Sequence, residues 1–196
     1  MIIDAGRVSR RDFVAELIAE IPDALVVTGL GSATYDVYSA GDRAQTFYLW
    51  GAMGAAVPMA LGLALAQPER SVVAVTGDAE HLMGIGTLGT ISAARPPNLT
   101  VVVLDNAHFG ETGMQRSHTG LGTDLASVAR GFGIETVLQV ASLAGVPPVA
   151  DRVRGRVGTT YVHVLIHADK PPRALPPRDG VANKNVFRAA LGLPTF

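Results

Sequence analysis

Short apolar runs, mostly of β-branched residues, recur along the chain and are separated by segments of helical composition. The clearest runs cover residues 24–28, 71–76, 100–104 and 161–166, and weaker ones cover 46–49 and 134–140. Helical patterns cover residues 9–20, 35–40, 55–66, 86–94, 124–132, 143–157 and 183–191. Because the clearest runs are apolar on both sides of a strand, they predict parallel strands that are buried on both faces. The sequence therefore predicts an α/β fold, a doubly wound parallel sheet flanked by helices.

A proline-rich stretch, KPPRALPPRDG at residues 170–180, follows the last predicted strand. Proline interrupts helices and central strands, so this stretch predicts a linker. A chain of 196 residues suits one compact domain. We therefore predict a folded domain over residues 1–169, followed by a linker and C-terminal arm over residues 170–196.

The composition excludes several classes of function. Charged residues make up 17% of the chain, against roughly 25% in an ordinary soluble domain, which predicts that another chain covers part of the surface. The net charge of −1 gives no electrostatic footprint for nucleic acid or an anionic membrane. The absence of cysteine excludes thiolate catalysis and iron–sulfur clusters. Residues 52–66 are too few to span a bilayer and the N-terminus lacks a signal-peptide pattern, so we expect a cytoplasmic location.

Two polar residues each follow a buried run by one or two positions. Asp78 comes after the run 71–76, and Asn106 after the run 100–104. Neighbouring parallel strands lie about 4.8 Å apart and end at the same edge of a sheet, where ligands bind. The two side-chain oxygens would suit Mg²⁺, which takes its remaining ligands from water and substrate phosphates. Ordinary turn chemistry of Asp and Asn remains the alternative.

The frame around these two residues is GDAEHLMGIGTLGTISAARPPNLTVVVLDNAHFGETG, residues 77–113. It resembles the motif of thiamin diphosphate (ThDP) enzymes, which runs Gly-Asp-Gly, then a helix and a strand, then Asn-Asn. The resemblance continues upstream through FYLWGAMGAAVPMALGLALA, residues 47–66, and covers about residues 24–167. It implies the Rossmann-like diphosphate-binding (PP) domain of ThDP-dependent 2-oxo acid decarboxylases. More narrowly, the chain resembles the β subunits of sulfopyruvate decarboxylase and the C-terminal half of phosphonopyruvate decarboxylase.

The resemblance implies a role for each matching residue. Asp78 and Asn106 would bind Mg²⁺ through side-chain oxygens, and His108 through its backbone carbonyl. Gly51 would accept a hydrogen bond from the cofactor's aminopyrimidine, and Met53 would wedge beneath the cofactor. The diphosphate would be held mainly by backbone amides of Gly31, Ser32, Gly77, Ala79, Glu80, Gly110 and Glu111.

Two positions depart from the family motif. Ala79 replaces the third residue, a glycine, so a positive φ there would be strained and would modestly weaken diphosphate binding. Asp105 replaces the first asparagine, and we expect its side chain to face away from the metal. His81, Arg116 and His118 could contact the substrate, but a structural or solvated position accounts for them equally well.

The family generates the reactive form of ThDP with a glutamate from a separate pyrimidine-binding (PYR) domain, which this chain lacks. The resemblance thus implies a PYR-domain α subunit as partner, a hetero-oligomer, and an activating Glu from that partner; His108 is the candidate acid–base group in this chain. The predicted function is the β subunit of a ThDP- and Mg²⁺-dependent non-oxidative decarboxylase. Its substrate would be a small 2-oxo acid with a second anionic group, such as sulfopyruvate or phosphonopyruvate. The alternatives are a carboligase resembling acetolactate synthase and a non-catalytic cofactor-binding module.

Overall fold

The computed structural model describes residues 6–195. Residues 1–5 and 196, which belong to the predicted N-terminus and C-terminal arm, lie outside the described residues. The strands are β1 (Leu25–Thr28), β2 (Thr46–Tyr48), β3 (Val72–Gly77), β4 (Leu99–Asp105), β5 (His108–Phe109), β6 (Gln115–Arg116), β7 (Thr136–Val140) and β8 (Thr160–Leu165). The helices are α1 (Arg10–Glu20), α2 (Ser32–Ser39), α3 (Ala56–Ala66), α4 (Asp78–Met83), α5 (Thr87–Ala94), α6 (Leu125–Gly131), α7 (Val146–Gly155) and α8 (Gly180–Ala190).

Six strands form one parallel sheet in the order β2-β1-β3-β4-β8-β7. Helices α1, α2 and α7 bury one face of this sheet, while α3, α5 and α6 bury the other. Alternate residues of one strand serve opposite layers: Val73 and Val75 pack on the first face, and Val72 and Ala74 on the second. This arrangement confirms the predicted doubly wound α/β fold.

Some local structure differs from the sequence prediction. Helix α4 and the hairpin formed by β5 and β6 were not predicted, because elements of six and two residues are too short to show an apolar period. The predicted helix over 143–157 is a 3₁₀ turn, Leu143–Gly145, followed by α7. Pro147 and Pro148 fit the first turn of α7, where backbone N–H groups have no helical partner.

The C-terminal arm folds back onto the edge strand β2. The Phe187 ring of α8 is buried against Phe47, with ring centroids 5.5 Å apart. Asn183 Nδ2 donates to the Tyr48 carbonyl at 2.9 Å, and Trp50 Nε1 donates to the Pro177 carbonyl at 3.1 Å. The arm is therefore packed on the domain; the division of the chain at residue 169 stays a prediction.

Within residues 6–195, none of the helices combines the length and apolarity needed to cross a membrane.

Asn98 joins the end of α3 to the sheet. Its side chain is 4% exposed and lies just before β4. Asn98 Nδ2 donates to the carbonyls of Ala64, Gln67 and Arg70 at 3.1, 3.0 and 2.8 Å. These carbonyls lie in the last turn of α3 and the loop after it, where backbone acceptors lack helical partners. The two N–H protons of one buried amide thus serve three backbone carbonyls, of which that of Gln67 also accepts from the Arg70 N–H at 3.0 Å.

We expect Asn98→Ala to lower the free energy of unfolding by about 2–3 kcal/mol, because it leaves buried carbonyls without donors. Urea unfolding followed by circular dichroism measures this loss. The matched control is Asn183→Ala, which removes one partly buried hydrogen bond and should cost about 1 kcal/mol or less. Equal losses for the two variants would contradict the role given to Asn98.

Candidate cofactor site at the carboxyl edge of the sheet

A cavity of about 160 Å³ lies at the edge where the parallel strands end. Most residues predicted to hold the cofactor line it: Gly31, Ser32, Met53, Gly77, Asp78, Ala79, Glu80, Asn106, His108, Gly110 and Glu111. Gly51 is the predicted cofactor residue that is absent from this lining. Complete small-molecule sites usually measure about 300–1,000 Å³, so this cavity encloses only part of a ligand of cofactor size.

Asp78 stands at the junction of β3 and α4, with 3% of its surface exposed. Its Oδ2 accepts hydrogen bonds from Ser117 Oγ at 2.5 Å and from Thr119 Oγ1 at 3.0 Å. Burial raises the pKa of the Asp78 carboxyl, and the charge of Asp105 raises it further, while the two hydroxyls oppose this shift. A carboxylate held in this way would be stabilised by a cation bound in the cavity.

Asn106 and His108 form a tight turn directly after β4. Asn106 Oδ1 accepts from the His108 backbone N–H at 2.9 Å, and the His108 ring Nδ1 lies 2.8 Å from the Asn106 carbonyl. Because a carbonyl only accepts, Nδ1 carries the proton. Ala107 between them has a left-handed φ of 61°. This geometry fixes both predicted ligands at the cavity wall; the acid–base role of His108 stays a prediction.

The prediction of backbone strain at Ala79 is wrong. Ala79 is the second residue of α4 and is not among the non-glycine residues with positive φ. The chain passes from an extended Gly77 directly into a right-handed helix, a path that alanine follows as easily as glycine. Asp105, as expected, is absent from the cavity lining.

Glu80 holds the cavity wall together through its side chain, a role that the family motif does not indicate. Its buried carboxylate accepts from the Leu30 N–H at 3.3 Å and from Thr76 Oγ1 at 2.9 Å. A Cβ atom on Gly29 would lie 1.8 Å from Glu80 Oε1, so any larger residue there would displace this carboxylate from its contacts. The carboxylate thus ties the loop after β1 to the end of β3. The glycine directly after the first strand is the sequence signal for this contact.

The amino end of α2 offers free backbone donors to the cavity. Its N-cap is Gly31, with φ of 74° and no side-chain cap. Ser32 and Ala33 follow in the first turn and also line the cavity. The buried Arg10 lines the same wall, where Asp36 at 3.1 Å balances its charge. The uncapped helical N–H groups are the feature of this wall that favours an anionic ligand.

The donor set fits a metal that is shared with a phosphate ligand. Among residues 6–195, no group of three or more His, Asp or Glu side chains converges to hold a metal ion by itself. Asp78 and Asn106 instead contribute one carboxylate and one amide beside the uncapped end of α2. Mg²⁺ completes such sparse oxygen sets with water and phosphate oxygens. The residues present therefore fit Mg²⁺ bound together with a diphosphate.

An α/β domain with this cavity belongs to the class that binds a phosphorylated cofactor at the carboxyl edge of a parallel sheet. Residues 29–164 match the family model of the thiamine pyrophosphate enzyme, C-terminal TPP binding domain. The chain belongs to this family. The predicted family is confirmed, and with it thiamin diphosphate as the cofactor; Mg²⁺ is the metal that the site fits.

Relatives of the chain include decarboxylases and, at 32% identity over 137 residues, an acetolactate synthase of Zea mays. The chain is 36% identical over 129 residues to sulfopyruvate decarboxylase subunit beta of Methanocaldococcus jannaschii, which covers 65% of this chain and 68% of the relative. It is 39% identical over 163 residues to phosphonopyruvate decarboxylase of Streptomyces viridochromogenes, covering 83% of this chain but 41% of the relative. A solved enzyme of Mycobacterium smegmatis, described as thiamin diphosphate-dependent, superposes with a TM-score of 0.69 at 25% identity. That superposition covers 84% of this chain and 32% of the other.

His81 does not reach the cavity, although it was a candidate substrate contact. It lies in α4 with 1% exposure, its ring 5.5 Å from that of Tyr161. Neither ring nitrogen has a hydrogen-bond partner among the described residues. Burial, with a smaller contribution from the charge of His163, lowers the pKa of His81 to about 4. His81 is therefore a neutral core residue at physiological pH.

We expect this buried ring to make the fold sensitive to acid. Because the pKa of His81 is lower in the folded state than its unfolded value of about 6.5, the unfolded chain binds a proton that the folded chain excludes. The stability is intact above about pH 6.5 and falls toward pH 4 by about 1.4 kcal/mol per pH unit. His81→Phe should therefore lose about 2 kcal/mol less than the unchanged chain between pH 7 and pH 5.

Urea unfolding at several pH values measures this difference. His118→Gln is the matched control, since it also removes a histidine but from an exposed position, without altering the core. Parallel curves for His81→Phe and the unchanged chain would show that His81 does not carry the acid sensitivity.

Proposed function

We propose that this chain is the PP-domain β subunit of a ThDP- and Mg²⁺-dependent decarboxylase that acts on a small 2-oxo acid with a second anionic group. The observation that carries the proposal is the cavity at the carboxyl edge of the sheet, which is lined by Asp78, Asn106 and the uncapped end of α2 and is too small to enclose a whole cofactor. The substrate class is supported by the sulfopyruvate and phosphonopyruvate decarboxylases among the relatives. The cytoplasmic location expected from the sequence remains part of the proposal.

The glutamates at the cavity support the half-site interpretation. Those in the described lining are Glu80 and Glu111. The Glu80 carboxylate is held by Leu30 and Thr76, and Glu111 pairs with Arg173 at 2.8 Å. Each is committed to a structural contact, so neither serves as the activating glutamate of the family. We infer that this glutamate comes from a partner subunit.

Exposed apolar side chains mark where such a partner would pack. Met53, which lines the cavity and is predicted to support the cofactor, is 46% exposed. Met83, at the end of α4, is 61% exposed. It lies beside the residue that follows Met53, since a Cβ atom placed on Gly54 would be 3.1 Å from the Met83 Cβ. These neighbouring apolar side chains would be covered by a second chain. That the relatives are named as beta subunits supports a heteromer, and a PYR domain is the partner we propose.

The mechanism divides the work between the cofactor and this chain. ThDP, when bound, would supply a nucleophilic carbon and an electron sink for the loss of CO₂. Asp78 and Asn106 would hold Mg²⁺ through their side-chain oxygens, with the His108 carbonyl as a further ligand. The amides at Gly31 and Ser32 would bind and orient the diphosphate. The chain thus fixes one end of the cofactor, and the reacting end is completed by the partner.

We expect Asp78→Ala to abolish Mg²⁺-dependent ThDP binding and to lower decarboxylation by more than about a hundredfold, since it removes a direct metal ligand. Binding is measured by calorimetry and turnover by release of CO₂ from sulfopyruvate or phosphonopyruvate, both in the complex with the partner. Asp151→Ala is the control, because this exposed carboxylate on α7 pairs with Arg154 at the surface, and its loss should leave activity unchanged. Full activity of Asp78→Ala would favour the non-catalytic module.

We expect the tagged protein, isolated from its own host with Mg²⁺ and ThDP present, to carry a second and different chain. Native mass spectrometry should show this complex with one ThDP and one Mg²⁺ per site. Product analysis on the same complex should give free aldehyde, whereas an acyloin would indicate the carboligase. A homo-oligomer without ThDP would contradict the proposed function.

A further inference from the structure

A chain of hydrogen bonds runs from the interior of the sheet to the predicted metal ligand. His163 Nε2, on β8, lies 2.7 Å from Asp105 Oδ2, on β4. The other oxygen, Asp105 Oδ1, lies 2.8 Å from Thr119 Oγ1. Thr119 Oγ1 in turn lies 3.0 Å from Asp78 Oδ2. His163 and Asp105 are buried and absent from the cavity lining, so they reach the cavity only through Thr119 and Asp78.

His163 affects Asp78 through the one proton of the Thr119 hydroxyl. The Thr119 hydroxyl has one proton, and it lies within hydrogen-bond distance of carboxylate oxygens of both Asp78 and Asp105. It is also 2.9 Å from Ser117 Oγ, which donates its own proton to Asp78. The two carboxylates therefore compete for this proton. His163 Nε2–H and the Ala107 backbone N–H at 2.8 Å both donate to Asp105. These donors satisfy Asp105, so the Thr119 proton is available to Asp78.

The geometry at Asp105 agrees with this direction of the hydrogen bonds. A carboxylate oxygen is the acceptor for the His163 ring at 2.7 Å, so the proton of that ring is on Nε2. His163 Nδ1 has no partner among the described residues, so Asp105 is the hydrogen-bond partner that orients the ring.

We propose that His163 is a positioning residue: by donating to Asp105 it directs the Thr119 hydroxyl to Asp78 and holds that carboxylate in the orientation that binds Mg²⁺. The inference rests on the proposed function, in which Asp78 is a metal ligand. It also explains how the chain accommodates Asp105 in place of the family's asparagine. The added charge is matched by a histidine on the neighbouring strand, since His163 pairs in register with Val103 of β4.

Metal affinity in the complex of the full chain with its partner tests the proposal. We titrate Mg²⁺ at fixed ThDP and record the rise in melting temperature, which reports binding without turnover. His163→Leu removes the donor and should raise the Mg²⁺ concentration at half effect by roughly ten- to a hundredfold. His163→Gln can place an amide N–H near the position of Nε2 and should restore the midpoint to within about threefold of the unchanged chain.

Tyr161→Phe is the matched control for packing. Tyr161 is two positions before His163 on the same strand and equally buried, but its hydroxyl has no hydrogen-bond partner among the described residues. Its loss should leave the Mg²⁺ midpoint unchanged. Thr119→Val tests the same series of hydrogen bonds at a second residue. It removes the bridging hydroxyl while keeping the shape of the side chain, and it should raise the Mg²⁺ midpoint as His163→Leu does. Thr119→Ser keeps a hydroxyl and should restore the midpoint.

The outcomes separate this inference from the proposed function. If the unchanged complex shows no rise in melting temperature with Mg²⁺ and ThDP, the proposed function is overturned, and the inference with it. If Mg²⁺ raises the melting temperature of the unchanged complex, and His163→Leu and Thr119→Val show the same Mg²⁺ midpoint as that complex, only the positioning role is overturned. A Tyr161→Phe shift as large as that of His163→Leu also overturns it, since packing would then be the cause. If His163→Leu does not fold, the Thr119 pair decides the question.

Discussion

Two carboxylates at the ends of adjacent strands are the constraint on which the rest of the site depends. Strands β3 and β4 pair in register from Val72 to Gly77, so the residues that follow each strand meet at one edge. Asp78 and Asp105 are both buried there and share the hydroxyl of Thr119. Like charges in a buried place are costly unless donors or a cation accompany them. The site supplies the donors, and a bound metal would supply the cation.

The donors come from segments that are distant in the sequence. Ser117 and Thr119 are brought to Asp78 by the β5–β6 hairpin, which turns the chain back after β4. His163 arrives on β8, the other neighbour of β4. Glu80 performs a similar task on the opposite wall, where it joins the β1 loop to β3. The rigid sheet thus carries the charged groups, while short loops provide the hydroxyls and amides that hold them in place.

Some of this arrangement could be predicted from the sequence. Runs of Val, Leu and Ala without alternation indicate a buried parallel sheet, and the position of Asp78 and Asn106 just after two such runs indicates one shared site. The contacts of Thr119 and His163 could not be predicted, because they join residues far apart in sequence and leave no local period. The strain assigned to Ala79 was wrong because it was carried over from a family glycine, whereas the backbone here enters a helix at that residue.

The C-terminal arm has a consequence for anyone who shortens this protein. The proline run looks like a harmless place to cut, yet the arm beyond it covers Phe47 with Phe187 and pairs Arg173 with Glu111 of the cavity wall. Arg173 also lies over the ring of Tyr35, a residue of α2, 5.9 Å from the ring centre. A chain trimmed at residue 169 would expose the Phe47 ring at the edge of the sheet. It would also leave Glu111 of the cavity wall without its ion pair to Arg173. Tags and fusions therefore belong after residue 196, with the arm left whole.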